Sequence, residues 1–129
     1  MPEKNYDVVY EDEFSIWFRS LNTSEKESVR AYIILLQQFG VTLDHPYSSK
    51  INSSEYTKMR ELRVQNEGRP YRIFYAFNKR RQCVLLTGGE KTGENDRQFY
   101  KRMVPKADMV YTRHLIALDK EDKENEKMG

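Results

Sequence analysis

The segment MRELRVQNEGRPYRIFYAF, residues 59–77, decides the fold of this chain. It predicts a β-hairpin, because Asn66-Glu67-Gly68 is a turn signal between two alternating segments. Side chains two positions apart in a strand share one face. The second strand therefore presents two sets: Tyr71, Ile73, Tyr75 and Phe77 on one face, and Arg72, Phe74, Ala76 and Asn78 on the other. Arg63 of the first strand and Arg72 of the second are expected on the same side of the sheet.

A further cation follows the next apolar strand. Lys91 comes just after Gly88-Gly89-Glu90, so a third positive charge is expected near the two arginines. Three or four cations on a rigid sheet suit a phosphate backbone better than a small apolar ligand. Two solvated surface arginines would give the same pattern, so the local sequence leaves both readings open.

Length and composition limit the possible classes. The 129 residues predict one domain over 1–118, followed by a charged, frayed tail over 119–129. The formal net charge of +2 is too small to indicate nucleic acid by itself, so local clustering must carry that argument. The single cysteine, Cys83, excludes an internal disulfide. No apolar run reaches 18 residues, so we expect a cytoplasmic protein without membrane contact.

The order of predicted elements gives the fold class. A capping box at residues 24–27 starts a long helix that Gly40 ends, and Pro105 should kink or break a later helix. The elements are a strand at 6–10, a short helix through Phe14 and Leu21, the helix at 24–39, a loop at 41–57, antiparallel strands at 58–65, 70–78 and 82–88, and a helix from 94. This predicts an α+β domain with a small antiparallel sheet. Its helices should pack on one face and leave the other as a working surface, on which Arg72 is expected to be exposed.

Several motifs with known chemistry are excluded. Gly88-Gly89-Glu90-Lys91-Thr92 lacks the glycine that precedes the lysine of a phosphate-binding loop. His45 and His114 lie far apart in sequence and are more simply structural. One cysteine and two histidines do not make a zinc site. Glu61 is the one strand carboxylate near the basic cluster, too few for a Mg²⁺-dependent nuclease. We therefore expect no metal and no cofactor.

Four segments occur in an order and spacing typical of one protein family. They are Glu-Leu-Arg at 61–63, Tyr-Arg-Ile-Phe-Tyr at 71–75, Leu-Leu-Thr-Gly-Gly-Glu-Lys-Thr at 85–92 and Phe-Tyr-Lys-Arg-Met at 99–103. Over residues 6–118 the chain resembles the RelE/ParE toxin superfamily, in particular its phage-derived, HigB-like branch. The resemblance implies a RelE-like fold and a type II toxin that cuts messenger RNA in the ribosomal A site without a metal. It also implies a cognate antitoxin as partner, commonly a helix-turn-helix protein.

The resemblance also assigns candidate catalytic residues. Arg72 matches the strand arginine that stabilises the scissile phosphate, and Arg63 matches the arginine of the preceding strand. Lys91 matches the cation of the glycine-led loop. Tyr100 lies near the place where some members carry an aromatic hydroxyl or a stacking ring. Glu61 departs from RelE itself, which carries lysines on this strand.

That departure leaves two questions open. Arginine keeps its proton, so the general base must be Glu61, a tyrosine or a lysine with a lowered pKa. The alternative to cleavage is a non-enzymatic inhibitor or a module that binds RNA or protein, such as a ParE-like inhibitor of gyrase or an inactive copy. The plainest reading is an α+β domain whose arginines only make the sheet soluble.

Overall fold

A computed structural model describes residues 5–128 of the chain. These residues form five strands and three α-helices, with a short 3₁₀ turn at Gly40–Thr42. In chain order the elements are β1 (Val8–Tyr10), α1 (Asp12–Arg19), α2 (Thr23–Phe39), β2 (Ser48–Lys50), β3 (Arg60–Asn66), β4 (Arg69–Phe77), β5 (Cys83–Glu90) and α3 (Asp96–Met128). The predicted α+β class is confirmed, and β2 is a strand within the segment predicted to be a loop.

The strands form one mixed sheet in the order β1-β5-β4-β3-β2. Strands β3 to β5 pair antiparallel as predicted, β2 also pairs antiparallel with β3, and the hairpin register places Arg63 opposite Arg72. The prediction of a wholly antiparallel sheet is wrong at one edge, because β1 runs parallel to β5. The long connection that contains α1, α2 and the hairpin gives the chain room for this crossover.

Helices cover both faces of the sheet, so the prediction that they pack on one face is wrong. One core layer joins Tyr71, Ile73 and Tyr75 of β4 to α1 and α2. A second layer joins Phe74 and Ala76 to α3. Every residue of β4 from Tyr71 to Ala76 is buried, since a strand in the middle of a sandwich of helices has no solvent face.

Close packing of α1 on the sheet depends on a glycine. A Cβ atom at Gly88 would lie only 2.4 Å from Cε3 of Trp17, so the indole packs against bare backbone of β5. The next residue, Gly89, faces Met103 on the side of α3. The two glycines thus admit a helix from each face of the sheet.

Both ends of α2 have the predicted kind of cap, and only the position of the N-terminal capping box differs from the prediction. The capping box uses Asn22, whose side chain accepts from the Glu25 amide at 2.8 Å, while Glu25 Oε1 accepts from the Asn22 amide at 2.8 Å. The predicted box at 24–27 is therefore two residues too late, because asparagine caps as well as serine does. Gly40 ends the helix with a φ of 53°, as predicted.

Helix α3 is longer and more regular than predicted. Pro105 lies inside it, and the helix runs on without interruption to Met128. The segment expected to be a frayed tail is helical, and its Asp122 pairs with both Lys79 and Arg80 of the β4–β5 turn.

No helix within residues 5–128 has the length and apolar character needed to cross a bilayer. The domain boundary at residue 118 stays a prediction.

Candidate functional site

Glu61 of β3 organises the site. Its side chain is 4% exposed and lies between the edge strand β2 and the first turns of α3. Glu61 Oε1 accepts a hydrogen bond from the Tyr100 hydroxyl at 2.6 Å, and Oε2 accepts one from Ser49 Oγ at 2.7 Å. One carboxylate therefore ties together three elements that are far apart in sequence.

Both strand arginines approach this carboxylate. Arg72 Nε lies 3.4 Å from Glu61 Oε1, and Arg63 Nη1 lies 3.5 Å from Oε2. Arg72 is 3% exposed and its Nη1 donates to the carbonyl oxygen of Tyr71 at 3.1 Å. Its Nε has no hydrogen-bond partner within the described part of the chain, so its contact with Glu61 is ionic. The expectation that Arg72 lies exposed on a working face is wrong, because α3 covers that face.

Lys91 joins the cluster from the end of β5. Its backbone amide donates to the carbonyl oxygen of Pro70 at 2.8 Å, which fixes the loop against β4. Its Nζ lies 2.7 Å from Asp96 Oδ1 and 5.6 Å from the centre of the Tyr100 ring. The Lys91 side chain is 15% exposed, so its charge is directed at these two neighbours.

Asp96 is a carboxylate that pairs with one cation and is influenced by the charges of two others. The hydrogen bond and charge of Lys91 hold the pKa of the Asp96 carboxyl below its usual value, and the charges of Arg72 and Arg63 act in the same direction. Its side chain is 75% exposed, at the first residue of α3. A negative group at this position is therefore stabilised by the charges of all three cations of the cluster.

Tyr100 keeps its phenolic proton at neutral pH. Partial burial, and then the hydrogen bond to Glu61, raise the pKa of Tyr100 to about 12. The Tyr100 hydroxyl is therefore a hydrogen-bond donor near the cations, and it is unsuited to act as a general base at neutral pH.

The structure brings together all four residues predicted from the sequence: Arg63, Arg72, Lys91 and Tyr100. Glu61 joins them as the organising carboxylate. Two further members, Ser49 and Asp96, were missed. The acidic residue at the start of a helix after Lys91 was a usable signal for Asp96, whereas a serine in a Ser/Asn-rich loop carried none.

A cleft of about 470 Å³ adjoins the cluster at Tyr100. Its apolar wall comes from α3, and its polar rim comes from the loop before β3. The lining residues are Ser53, Glu55, Tyr100, Lys101, Val104, Pro105, Asp108 and Met109. If a phosphate binds at the cluster, a planar group attached to it could pack against the apolar wall of this cleft.

The histidines have other environments. His114 Nδ1 lies 3.3 Å from Glu11 Oε2 and its Nε2 lies 3.1 Å from Asn78 Nδ2, so the ring belongs to the contact of α3 with the β1 edge and the end of β4. Among residues 5–128, no three His, Cys, Asp or Glu side chains come together in a way that could hold a metal ion.

The chain belongs to the family of phage-derived Gp49-like proteins, whose model matches residues 16–112. Two relatives from Mycobacterium tuberculosis are similar to it. One, named "Putative toxin HigB3", is 41% identical over 92 residues, which are 71% of this chain and 78% of that protein. The other, named "Putative toxin HigB2", is 31% identical over 109 residues, which are 84% of this chain and 54% of that protein.

A solved structure supports the same fold. In the toxin–antitoxin complex RelBE2 from Mycobacterium tuberculosis, one chain matches this one with a TM-score of 0.53 at 13% sequence identity. The match covers 67% of this chain and 99% of that chain. This likeness confirms the RelE-like fold predicted from the sequence.

Proposed function

We propose that this chain is the toxin of a type II toxin–antitoxin system and that it cuts messenger RNA on the ribosome without a metal. The observation that carries the proposal is the grouping of three cations around two carboxylates, with Arg63 and Arg72 beside Glu61 and Lys91 beside Asp96. The exposed Asp96 carboxylate, which pairs with Lys91, marks a place that a phosphate group can occupy. The relatives named as HigB toxins support the same assignment.

In the proposed reaction, the 2′-oxygen of one nucleotide attacks the adjacent phosphorus. The bond from phosphorus to the 5′-oxygen of the next nucleotide breaks, which leaves a 2′,3′-cyclic phosphate and a 5′-hydroxyl. The 2′-hydroxyl loses its proton to a base or to water, and the leaving oxygen gains one. Negative charge grows on the phosphate oxygens, where fixed guanidinium and ammonium groups stabilise it.

The proton transfers assign different roles to Tyr100 and Glu61. Tyr100 holds its proton, lies against Lys91 and donates to Glu61, so it becomes a donor to a substrate oxygen when its hydroxyl turns from Glu61 to the bound phosphate. Both oxygens of Glu61 are already engaged and its side chain is buried, so we assign it as the positioning residue for Arg72 and Tyr100. The cluster then supplies charge stabilisation more than basicity, and alignment of the substrate must come from the ribosome.

The proposed partners follow from the same assignment. Messenger RNA in the ribosomal A site is the substrate, and a cognate antitoxin keeps the toxin inactive. The fold neighbour comes from a toxin–antitoxin complex, which supports an antitoxin partner. A helix-turn-helix protein is the kind of antitoxin that we propose, and the cytoplasm is the compartment in which both partners occur.

Mapping of messenger RNA 5′ ends after induction tests the proposal. Induced wild-type protein should create new 5′-hydroxyl ends inside translated reading frames, and an Arg72→Lys variant should create far fewer. New ends that also appear in untranslated transcripts would contradict ribosome dependence. An unchanged set of ends would contradict cleavage altogether.

One observation favours the non-enzymatic alternative. Arg72 is almost completely buried, and the carboxylates of Glu61 and Asp96 already offset two of the three positive charges of the cluster. An inhibitor that binds a protein such as gyrase would need no accessible phosphate site. Growth arrest with intact transcripts and inhibited DNA supercoiling would establish this alternative.

A further inference from the structure

A second cationic cleft lies at the other end of the hairpin from the Lys91 loop. It encloses about 480 Å³ where β2 ends, β3 begins and the β4–β5 turn meets the end of α2. Its walls combine four cations with two apolar side chains and two small polar ones. They are Val41, Lys50, Thr57, Lys58, Arg60, Phe77, Asn78 and Arg81.

The positive charge of this cleft is mostly unbalanced. No carboxylate is among its lining residues, and Arg60 pairs with Asp44 at 3.2 Å at the rim. Lys50, Lys58 and Arg81 are exposed, and none of them pairs with a carboxylate of residues 5–128. Three free charges therefore converge on one concave surface, which favours a polyanion.

The β4–β5 turn carries three consecutive cations, of which the first two are paired elsewhere and the third lines this cleft. Lys79 and Arg80 are both held by Asp122 of α3. The next residue, Arg81, lines the cleft, with a φ of 60°. That left-handed conformation favours glycine or asparagine. The turn thus places an arginine where the backbone would be less strained with a glycine, which a purely structural role does not explain.

The cleft and the catalytic cluster lie on the two sides of the same short edge strand. Ser49 donates to Glu61 on the face of α3, whereas Ser48 hydrogen-bonds the Tyr75 hydroxyl and accepts from Arg60 Nε on the other face. Lys50 shares the face of Ser48, because side chains alternate along a strand. A flexible anionic chain that crosses β2 can therefore contact both sets of cations.

We propose that this cleft binds the phosphodiester backbone of single-stranded RNA, as a contact separate from the catalytic cluster. The choice of RNA as the polyanion rests on the proposed function. The cations contact phosphates and so provide affinity that does not depend on the RNA sequence. Val41 and Phe77 provide an apolar surface for sugars or bases. The cleft holds the part of the messenger RNA strand that flanks the scissile phosphate.

Binding of a labelled, fully 2′-O-methylated RNA, which cannot be cut through its 2′-oxygens, tests the proposal directly. Arg81→Gly and Lys58→Ala should each weaken binding several-fold at low salt. Each should also reduce the slope of log affinity against log salt by about 0.7, the value for one released counterion on a single strand. Arg81→Gly should bind more weakly while its melting temperature stays equal or rises, which a structural role would not produce.

Two controls complete the experiment. Lys26→Ala removes the same charge at the far end of α2, about 21 Å along the helix from Gly40, and should leave binding unchanged. Arg81→Lys keeps the charge and should restore most of the affinity. Unchanged affinity and slope in a Lys58→Ala, Arg81→Gly double variant would overturn the proposal. Weaker antitoxin binding with unaltered RNA binding would overturn it too, in favour of a protein surface.

The outcomes also separate this proposal from the proposed function. If RNA binding depends on the cleft but the wild-type protein produces no new 5′ ends, the proposed cleavage is wrong and the proposed RNA contact still holds. Normal cleavage on ribosomes by the double variant, with unaltered RNA binding, would overturn the cleft alone.

Discussion

The Tyr100 hydroxyl donates a hydrogen bond to Glu61 over 2.6 Å and so joins the first turns of α3 to the start of β3. Glu61 also holds Arg72 and Arg63, while the Tyr100 ring lies beneath Lys91. This pair therefore connects all of the cations of the proposed site. Changes at either residue should disturb several charged groups together.

Removal of the Tyr100 hydroxyl should impair cleavage more than folding. In Tyr100→Phe, Glu61 loses one of its hydrogen bonds, which costs about 1 kcal/mol of unfolding free energy. Cleavage on programmed ribosomes should fall by about 100-fold, because a donor near the phosphate is lost. Single-turnover rates and urea unfolding measure both effects. Tyr56→Phe, a variant of a tyrosine at the contact of the 51–58 loop with α3, should leave the rate unchanged.

The same tyrosine should make stability depend on alkaline pH. The pKa of Tyr100 is about 12 in the folded chain, whereas an unperturbed tyrosine has a pKa of about 10. Its stabilising contribution is therefore complete below about pH 10 and is lost as the pH rises through about 12. Urea unfolding at about pH 8 and about pH 11 should show a smaller loss in Tyr100→Phe than in wild type. Equal losses in the two proteins would contradict this assignment.

Replacement of Arg72 should abolish toxicity and also weaken the fold. Arg72 is buried beside Glu61, so Arg72→Ala leaves a buried carboxylate short of a partner and should cost about 3 kcal/mol. Arg72→Lys keeps the charge and should lose less stability, but it cannot reproduce the planar guanidinium contacts. Growth on induction and a thermal melt of each variant separate the two effects. A fully toxic Arg72→Lys protein would remove Arg72 from the site.

Neutralisation of Asp96 should strengthen RNA binding. Its carboxylate occupies the neighbourhood of Lys91, Arg72 and Arg63, where it competes with an incoming phosphate. In Asp96→Asn, affinity for a non-cleavable RNA should rise about threefold to tenfold at low salt and much less at high salt. Glu94→Gln is the matched control, because Glu94 pairs with Arg102 instead. An unaltered affinity in Asp96→Asn would show that the phosphate binds elsewhere.

Lys91 should contribute through its charge. Lys91→Ala should reduce single-turnover cleavage by about 100-fold, and Lys91→Arg should reduce it less, because arginine preserves the charge but not the shape. If Lys91 were only a surface lysine of a loop, both variants would cut at the wild-type rate. The measurement on programmed ribosomes therefore decides between a functional and a structural Lys91.

Cleavage should not depend on divalent metal in the protein. The cluster presents cations toward a phosphate, and its two carboxylates are occupied by those cations. We expect EDTA, added to the toxin before it meets washed ribosomes, to leave the cleavage rate unchanged. Free RNA should be cut poorly, since the substrate is then not aligned for attack. Strong Mg²⁺-dependent cleavage of free RNA would refute this mechanism.

The sequence predicted the hairpin well because the prediction rested on local alternation. The register that pairs Arg63 with Arg72 follows from the turn at residues 66–68. Alternation does not reveal whether a face meets water or a helix, so the exposure of Arg72 was predicted wrongly. Burial on that face depends on α3, which begins more than 20 residues later in the chain.

Short and nonlocal features were the least predictable. The edge strand β2 has three residues with no hydrophobic alternation, and it is a strand only because β3 lies beside it. Ser49 and Asp96 likewise acquire their roles through contacts across the fold. Arg63, Arg72 and Lys91 were found from strand alternation and the glycine-led loop, whereas Tyr100 was found through the resemblance to a family. Their grouping follows from strand pairing and the placement of α3.

Trp17 is the one tryptophan of the chain, and it packs on the backbone of Gly88. It therefore gives the protein an intrinsic fluorophore on the face of β5 opposite to Met103 and the helix that carries Tyr100. The fluorescence of the indole reports whether the sheet is folded. A label on the oligonucleotide reports, at a separate wavelength, whether RNA is bound. A single cuvette can thus distinguish a variant that has lost its ligand from one that has lost its native state.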